Sequence, residues 1–173
     1  MKRLCFLIFI FTSSLFARDD ISEGSIKLRK RQEANLYIYS KISLEEAVKI
    51  AQKKIESSVY EVQLKNESGF LVYEVRFADN TSRTRIYVDA GNGNILGTKS
   101  FRISKTILAK VVPAEQVMKT ALGRYPGKII ELELRRRRNA IYEITIVVQN
   151  NVIITAVFNA FNGEFSKVDT DDE

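Results

Sequence analysis

The 173 residues contain no histidine and no tryptophan, and a single cysteine, Cys5. Without histidine there is no Ser–His or Cys–His nucleophile pair and no imidazole metal ligand. The one thiol sits in an N-terminal apolar run, so the rest of the chain has no nucleophilic thiol, no disulfide and no thiolate metal site. Any catalysis would fall to carboxylates, and pairs such as Glu45–Glu46 or Glu131/Glu133 are explained by a helix first turn and by strand spacing. The expectation is a non-enzymatic protein with no cofactor and no metal. What is present suits a folded globule: 45% hydrophobic residues, with 27 basic against 21 acidic groups and a formal charge of +6.

Lys2 and Arg3 precede an unbroken apolar run from Leu4 to Phe11, followed by Thr12-Ser13-Ser14, Leu15-Phe16-Ala17 and the charged Arg18. This is the layout of a secretory signal peptide over residues 1–17, cleaved after Ala17. Even Leu4–Phe16 is only 13 residues, short of the ~20 that a spanning helix needs. The expected location is therefore periplasmic or secreted.

The rest of the chain repeats itself. Ile42-Ser43-Leu44-Glu45-Glu46-Ala47-Val48 matches Val112-Pro113-Ala114-Glu115-Gln116-Val117-Met118 at an offset of 70. Tyr73-Glu74-Val75 matches Tyr142-Glu143-Ile144, and Asp89–Ile95 matches Asn159–Phe165. Each unit opens with a helix. Ser43 and Glu46 form a capping-box pattern, and Pro113 takes the place of the Ser in the second unit. Three strands follow, over 60–65, 70–78 and 83–89 in the first unit and 130–135, 141–148 and 152–159 in the second. Leu71, Tyr73, Val75 and Phe77 alternate with Val72, Glu74 and Arg76, which predicts one sheet face buried under a helix. The expected fold is α+β, two tandem repeats, each one helix packed on a three-stranded antiparallel sheet. The units span residues 41–100 and 105–168, after a linker over 18–40 and before an acidic tail over 169–173.

This pattern resembles the PepSY family: Ile42-Ser43-Leu44-Glu45-Glu46-Ala47 at the helix, Tyr73-Glu74-Val75 in the second strand, and Val88-Asp89-Ala90 with Gly93 and Ile95 at the end of the third. The second unit departs from it with Pro113, Asn159 and Phe161. The paired layout is also similar, at fold level, to beta-lactamase inhibitory proteins. The resemblance implies an exported module with no catalytic residues. PepSY units occur in propeptides of thermolysin-type secreted proteases, which they help fold and inhibit, and in stand-alone exported or membrane-attached proteins.

Candidate contact residues lie on the sheet face away from the helices. In the first unit Arg76, Arg83, Arg85 and Tyr87 suit anchors for a protein partner, and equally a solvated face neutralised by Glu61 and Glu74. In the second, Val147, Ile153 and Val157 place apolar groups where solvent is expected, which suits an interface with the other unit, a second copy or another protein. Arg135-Arg136-Arg137-Arg138 reads as a hairpin tip able to meet phosphate, carboxylate or an anionic surface, or as a solvated loop. A second basic cluster, Lys27–Arg31, suits a linker or a peripheral membrane contact. No aromatic residue interrupts the arginine run, so nucleic acid is not an expected partner. Two functions follow: a protein-binding module that modulates or inhibits a peptidase, or an envelope sensor or accessory subunit that takes an anionic ligand, lipid or metal.

Overall fold

The computed structural model describes residues 24–26, 35–79, 81–102, 111–136 and 139–170. The expected signal segment, the basic cluster at 27–31, Arg137, Arg138 and the acidic residues 171–173 lie outside the described residues.

Ser43 caps α1 (Leu44–Gln52) as the sequence predicts. Its side chain accepts from the Glu46 amide at 3.2 Å, and the Glu46 carboxylate accepts from the Ser43 amide at 2.7 Å. The second helix, α2 (Ala114–Arg124), has Pro113 at its N-cap and no side-chain cap. The strands are β1 (Ser58–Glu67), β2 (Phe70–Ala78), β3 (Ser82–Asp89) and β4 (Ile95–Arg102), then β5 (Lys128–Arg136), β6 (Ala140–Val147), β7 (Ile153–Asn159) and β8 (Phe165–Thr170). Two tight hairpins follow from left-handed residue pairs: Ser68–Gly69 joins β1 to β2, and Asn150–Asn151 lies between β6 and β7.

The α+β class holds, but each unit carries four strands, not three. The fourth strands, β4 and β8, are the outer edges of the sheet. They are largely exposed and carry Lys, Arg and Asp, so they lack the alternation that marks a half-buried strand. Asp169 and Thr170, expected in a frayed tail, close β8.

Nor are there two separate sheets. All eight strands form one antiparallel sheet in the order β4-β3-β2-β1-β5-β6-β7-β8. The junction pairs Glu61 with Glu133, Val62 with Leu132 and Gln63 with Glu131. Val62 and Leu132 are the same position in the two repeats, and the flanking pairs are swapped equivalents. A pseudo-two-fold axis therefore passes through the Val62–Leu132 pair. Both helices cover one face. α1 packs on β1, β2 and β3 and reaches β5, while α2 packs on β5 and β6 and reaches back to β1. Gln52 at the end of α1 hydrogen-bonds Glu115 at the start of α2. One continuous core results, holding Leu44, Val48, Val62, Tyr73, Val75, Phe77, Val117, Leu132, Tyr142, Ile144, Ala156 and Phe158.

The shared sequence features tie each helix entry to its sheet. The Tyr73 hydroxyl donates to the Ile42 carbonyl at 3.0 Å, and Tyr142 does the same to Val112 at 2.9 Å. The turn after the third strand is built twice: Asp89 Oδ1 accepts from the Gly91 amide at 2.7 Å, and Asn159 Oδ1 from the Phe161 amide at 2.8 Å. An amide oxygen serves here as well as a carboxylate, which is why Asn can stand for Asp. Gly93 and Gly163 turn the chain with φ of +80° and +74°. Parts of the expected linker are docked. Ile26, Leu36 and Tyr39 pack against the core, and Ser25 donates to the buried Asp89 carboxylate. A Cβ at Gly91 would lie 2.1 Å from the Gly24 carbonyl, whereas its counterpart Phe161 is exposed.

Candidate protein-interaction face

Strand alternation sends every second side chain to the face the helices leave bare. Register aligns these residues in rows across all eight strands. One row reads Lys99, Arg85, Arg76, Glu61, Glu133, Glu143, Val157, Lys167. Three cations are followed by three carboxylates, so the face is electrically polarised along the sheet. The parallel row reads Gly97, Tyr87, Glu74, Gln63, Glu131, Thr145, Thr155, Asp169.

Adjacent carboxylates repel, and two arginines offset this. Arg76 donates to both Glu61 oxygens at 2.5 and 2.6 Å and also to Glu74. Arg135 bridges Glu133 at 3.1 Å and Glu143 at 2.6 Å. Gln63 donates to Glu131 at 2.7 Å. Glu74 is 1% exposed, with Lys65 at one carboxylate oxygen and Arg76 at the other. Burial pushes its carboxyl up, but the hydrogen bonds from Lys65 and Arg76 outweigh burial and hold it below the ordinary glutamate value of 4.5. A lowered folded value means that Glu74 stabilises the fold above the unfolded value and that this contribution is lost as pH falls through the folded one. Glu74→Gln should therefore weaken the protein at neutral pH and flatten the acid limb of its stability curve. Urea midpoints measured between pH 7 and pH 3 check this, and a variant whose acid limb parallels the parent would remove Glu74 from that role.

The sequence-predicted contact residues divide sharply. Arg83 and Arg85 lie where expected, Arg83 at 5.5 Å from the Tyr60 ring centre and Arg85 at 5.3 Å from that of Phe101. Arg76 is committed to its ion pairs. Tyr87, expected as an exposed anchor, is 3% exposed and packs with Val72 and Leu96, flanked by Phe70. Val147 and Val157 are 8% and 4% exposed, so they form no open apolar patch. Their cross-strand neighbours, Lys128 and Ile153 for the first and Glu143 and Lys167 for the second, stand beside them on the sheet. Ile153 is half-buried and lines a groove of about 340 Å³ with Leu36, Tyr37, Gln63 and Glu131, where β1 and β5 diverge. The arginine run is not wholly a hairpin tip: Arg135 and Arg136 belong to β5, and Arg135 is ion-paired. Reading the sequence alone missed Lys99 and Phe101, because it missed β4.

The helix side holds a second groove of about 340 Å³, rimmed by the equivalent pairs Glu45/Glu115 and Lys49/Lys119 over Met118 and Leu122. Among the described residues, no cluster of three or more acidic or thiol groups could hold a metal, and no helix is long and apolar enough to cross a membrane.

No curated protein matches the chain. Two solved structures are similar to it at low identity. A Clostridium difficile 630 protein described as a lipoprotein is 19% identical, with a TM-score of 0.43, covering 80% of this chain and 99% of that one. The Bacillus megaterium YpeB C-terminal domain is 18% identical, with a TM-score of 0.32, covering 84% and 71%. The family described as "Peptidase propeptide and YPEB domain" matches twice, over residues 41–99 and 111–169. Those two spans coincide with the two helix-plus-meander halves of the sheet, and the chain belongs to the PepSY family.

Proposed function

We propose that this chain is an exported, non-enzymatic PepSY module that binds a protein partner through the bare face of its sheet, with a secreted peptidase as the favoured partner. The observation that supports this most is the face itself: eight strands wide, uncovered by the helices, and polarised from Arg83, Arg85 and Lys99 to the central glutamates. Broad and charged at one end, it suits docking against another folded surface, where charge complementarity sets orientation and encounter rate. Action on a peptidase would be steric, with no reactive side chain. The N-terminal Lys2-Arg3, apolar run and Ala17 support export.

The test uses residues 18–173 and a thermolysin-type secreted metallopeptidase, reading residual activity and the yield of active peptidase refolded in its presence. The parent chain should lower the first or raise the second. Thr155→Arg, which adds bulk to the second unit's side of the bare face, and Arg83→Glu/Arg85→Glu, which reverses its basic end, should each weaken the effect about tenfold or more. No effect of the parent chain on either readout rejects the peptidase as partner. Equal potency of all three proteins rejects the face.

A further inference from the structure

The edge of the sheet points to a narrower kind of partner, and this inference rests on the protein-binding reading above. We propose that β4 receives an extended, acidic segment of the partner, which adds to the sheet as a ninth strand.

Two independent features meet at this edge. The first is backbone. β4 is the terminal strand of the sheet, and Ile95–Arg102 pairs only with β3 among the described strands. Among the described residues no strand pairs with its outer side, which leaves the amides and carbonyls that a docking strand uses. The second is charge. Lys99 is exposed on β4 with Arg85 opposite it on β3, and Arg83 lies opposite the next bare-face residue, Phe101, whereas Arg102, opposite Ser82, is exposed on the other face of the same edge. Among the described residues no carboxylate lies within ion-pair distance of Arg83, Lys99 or Arg102, and Arg85 comes no nearer than 3.8 Å to Glu74. Arg85 is steadied over Phe101, itself 46% exposed, so the strip is partly ordered in advance and includes an apolar contact. Acidic side chains alternating along an added strand would reach Lys99, Arg83 and Arg85 on the bare face, while its backbone completes the ladder.

The repeat supplies an internal control. Lys99, Arg85 and Arg83 occupy the positions held in the second unit by Asp169, Thr155 and Ile153. On β8 the exposed Lys167 is matched by Asp169 at 2.6 Å. The fold therefore does not require a basic edge. Among the described residues, only the β4 edge is left with unmatched positive charge. A lipid surface would satisfy the charge but would make no use of the free backbone edge, so the two features together favour a peptide strand.

The experiment titrates isotope-labelled residues 18–173 with a capped nonapeptide of alternating Val and Glu/Asp, and with its Lys counterpart. Backbone amide shifts and hydrogen exchange are the readouts. The acidic peptide should shift and protect amides of Thr98–Arg102, and the Lys peptide should not bind. Lys99→Glu/Arg83→Glu, both exposed positions on the bare face, should weaken acidic-peptide binding about tenfold or more while leaving the circular dichroism spectrum unchanged. The proposal is overturned by silence at millimolar peptide, by shifts confined to the bare face, or by equal binding of the charge-reversed variant. It is also overturned by binding to phosphatidylglycerol vesicles without peptide binding, or by a self-associated state that already protects the β4 amides. Peptide capture at β4 without any effect on the peptidase upholds the edge and removes the peptidase reading. A peptidase effect with β4 silent does the opposite.

Discussion

Val62→Asp should abolish the cooperative fold. Val62 is fully buried at the pseudo-two-fold axis, paired with Leu132 and roofed on the helix side by the shared core. A carboxylate placed there has no cationic partner on the core face and loses its water, which costs several kcal/mol. The direct strand pairing between the units is only three residue pairs long, with Val62–Leu132 at its centre. A loss of more than about 4 kcal/mol, large against a typical domain stability of about 5–15 kcal/mol, is expected. Urea unfolding followed by circular dichroism reads it directly. Val62→Ala, which leaves a cavity but no charge, should lose about 2 kcal/mol and keep a single transition, because one core serves both units. Two separated transitions in the Ala variant, or a parent-like midpoint in the Asp variant, would show that the units do not depend on each other through this junction.

Tyr73→Ala is the second large effect, at about 3–5 kcal/mol. Tyr73 is fully buried between β2 and α1, and its hydroxyl holds the carbonyl of Ile42 just before the helix cap. Tyr73→Phe separates the two contributions. It keeps the ring and strands a carbonyl, for about 1–3 kcal/mol. Alkaline titration gives the same residue a distinct signature. Burial pushes the Tyr73 hydroxyl up to about 12, from 10.0. A raised folded value means that its stabilisation is complete below pH 10 and is lost as pH rises towards 12, because the unfolded chain ionises first. Tyr73→Phe should therefore be less stable than the parent at pH 7 and lose less between pH 10 and pH 12. If the two proteins run parallel through that window, Tyr73 does not govern the alkaline limb.

These effects fall on features of differing legibility. The capping box at Ser43 and Glu46 and the Asn150–Asn151 hairpin were readable because each depends on a few adjacent residues. The alternation of β2 and β6 was readable because one face is buried and the strands are long enough to show the period. The edge strands β4 and β8 were not, since a strand with one neighbour and two solvated sides carries no such period. The junction was not, because nothing in the local sequence of β1 says that its other neighbour lies about 70 residues away. The bare face misled for a related reason. Tyr87, Val147 and Val157 alternate outward and so read as exposed, yet register sets a neighbour on either side of each, and they are only 3%, 8% and 4% exposed. The polarised row from Lys99 to Glu143 appears only once the registers of five strand pairs are known.

The register of the junction has a further consequence. A segment paired with its own duplicate about a two-fold axis is the arrangement two identical chains make when they meet as a symmetric dimer. Fusing the copies makes that encounter intramolecular, so the pairing depends on the effective concentration set by the connecting segment and not on how much protein is present. It also frees the copies from having to be identical. One half could then keep an edge of unmatched positive charge while the other matched its own, a difference that a true homodimer, with both halves encoded once, has no means to carry.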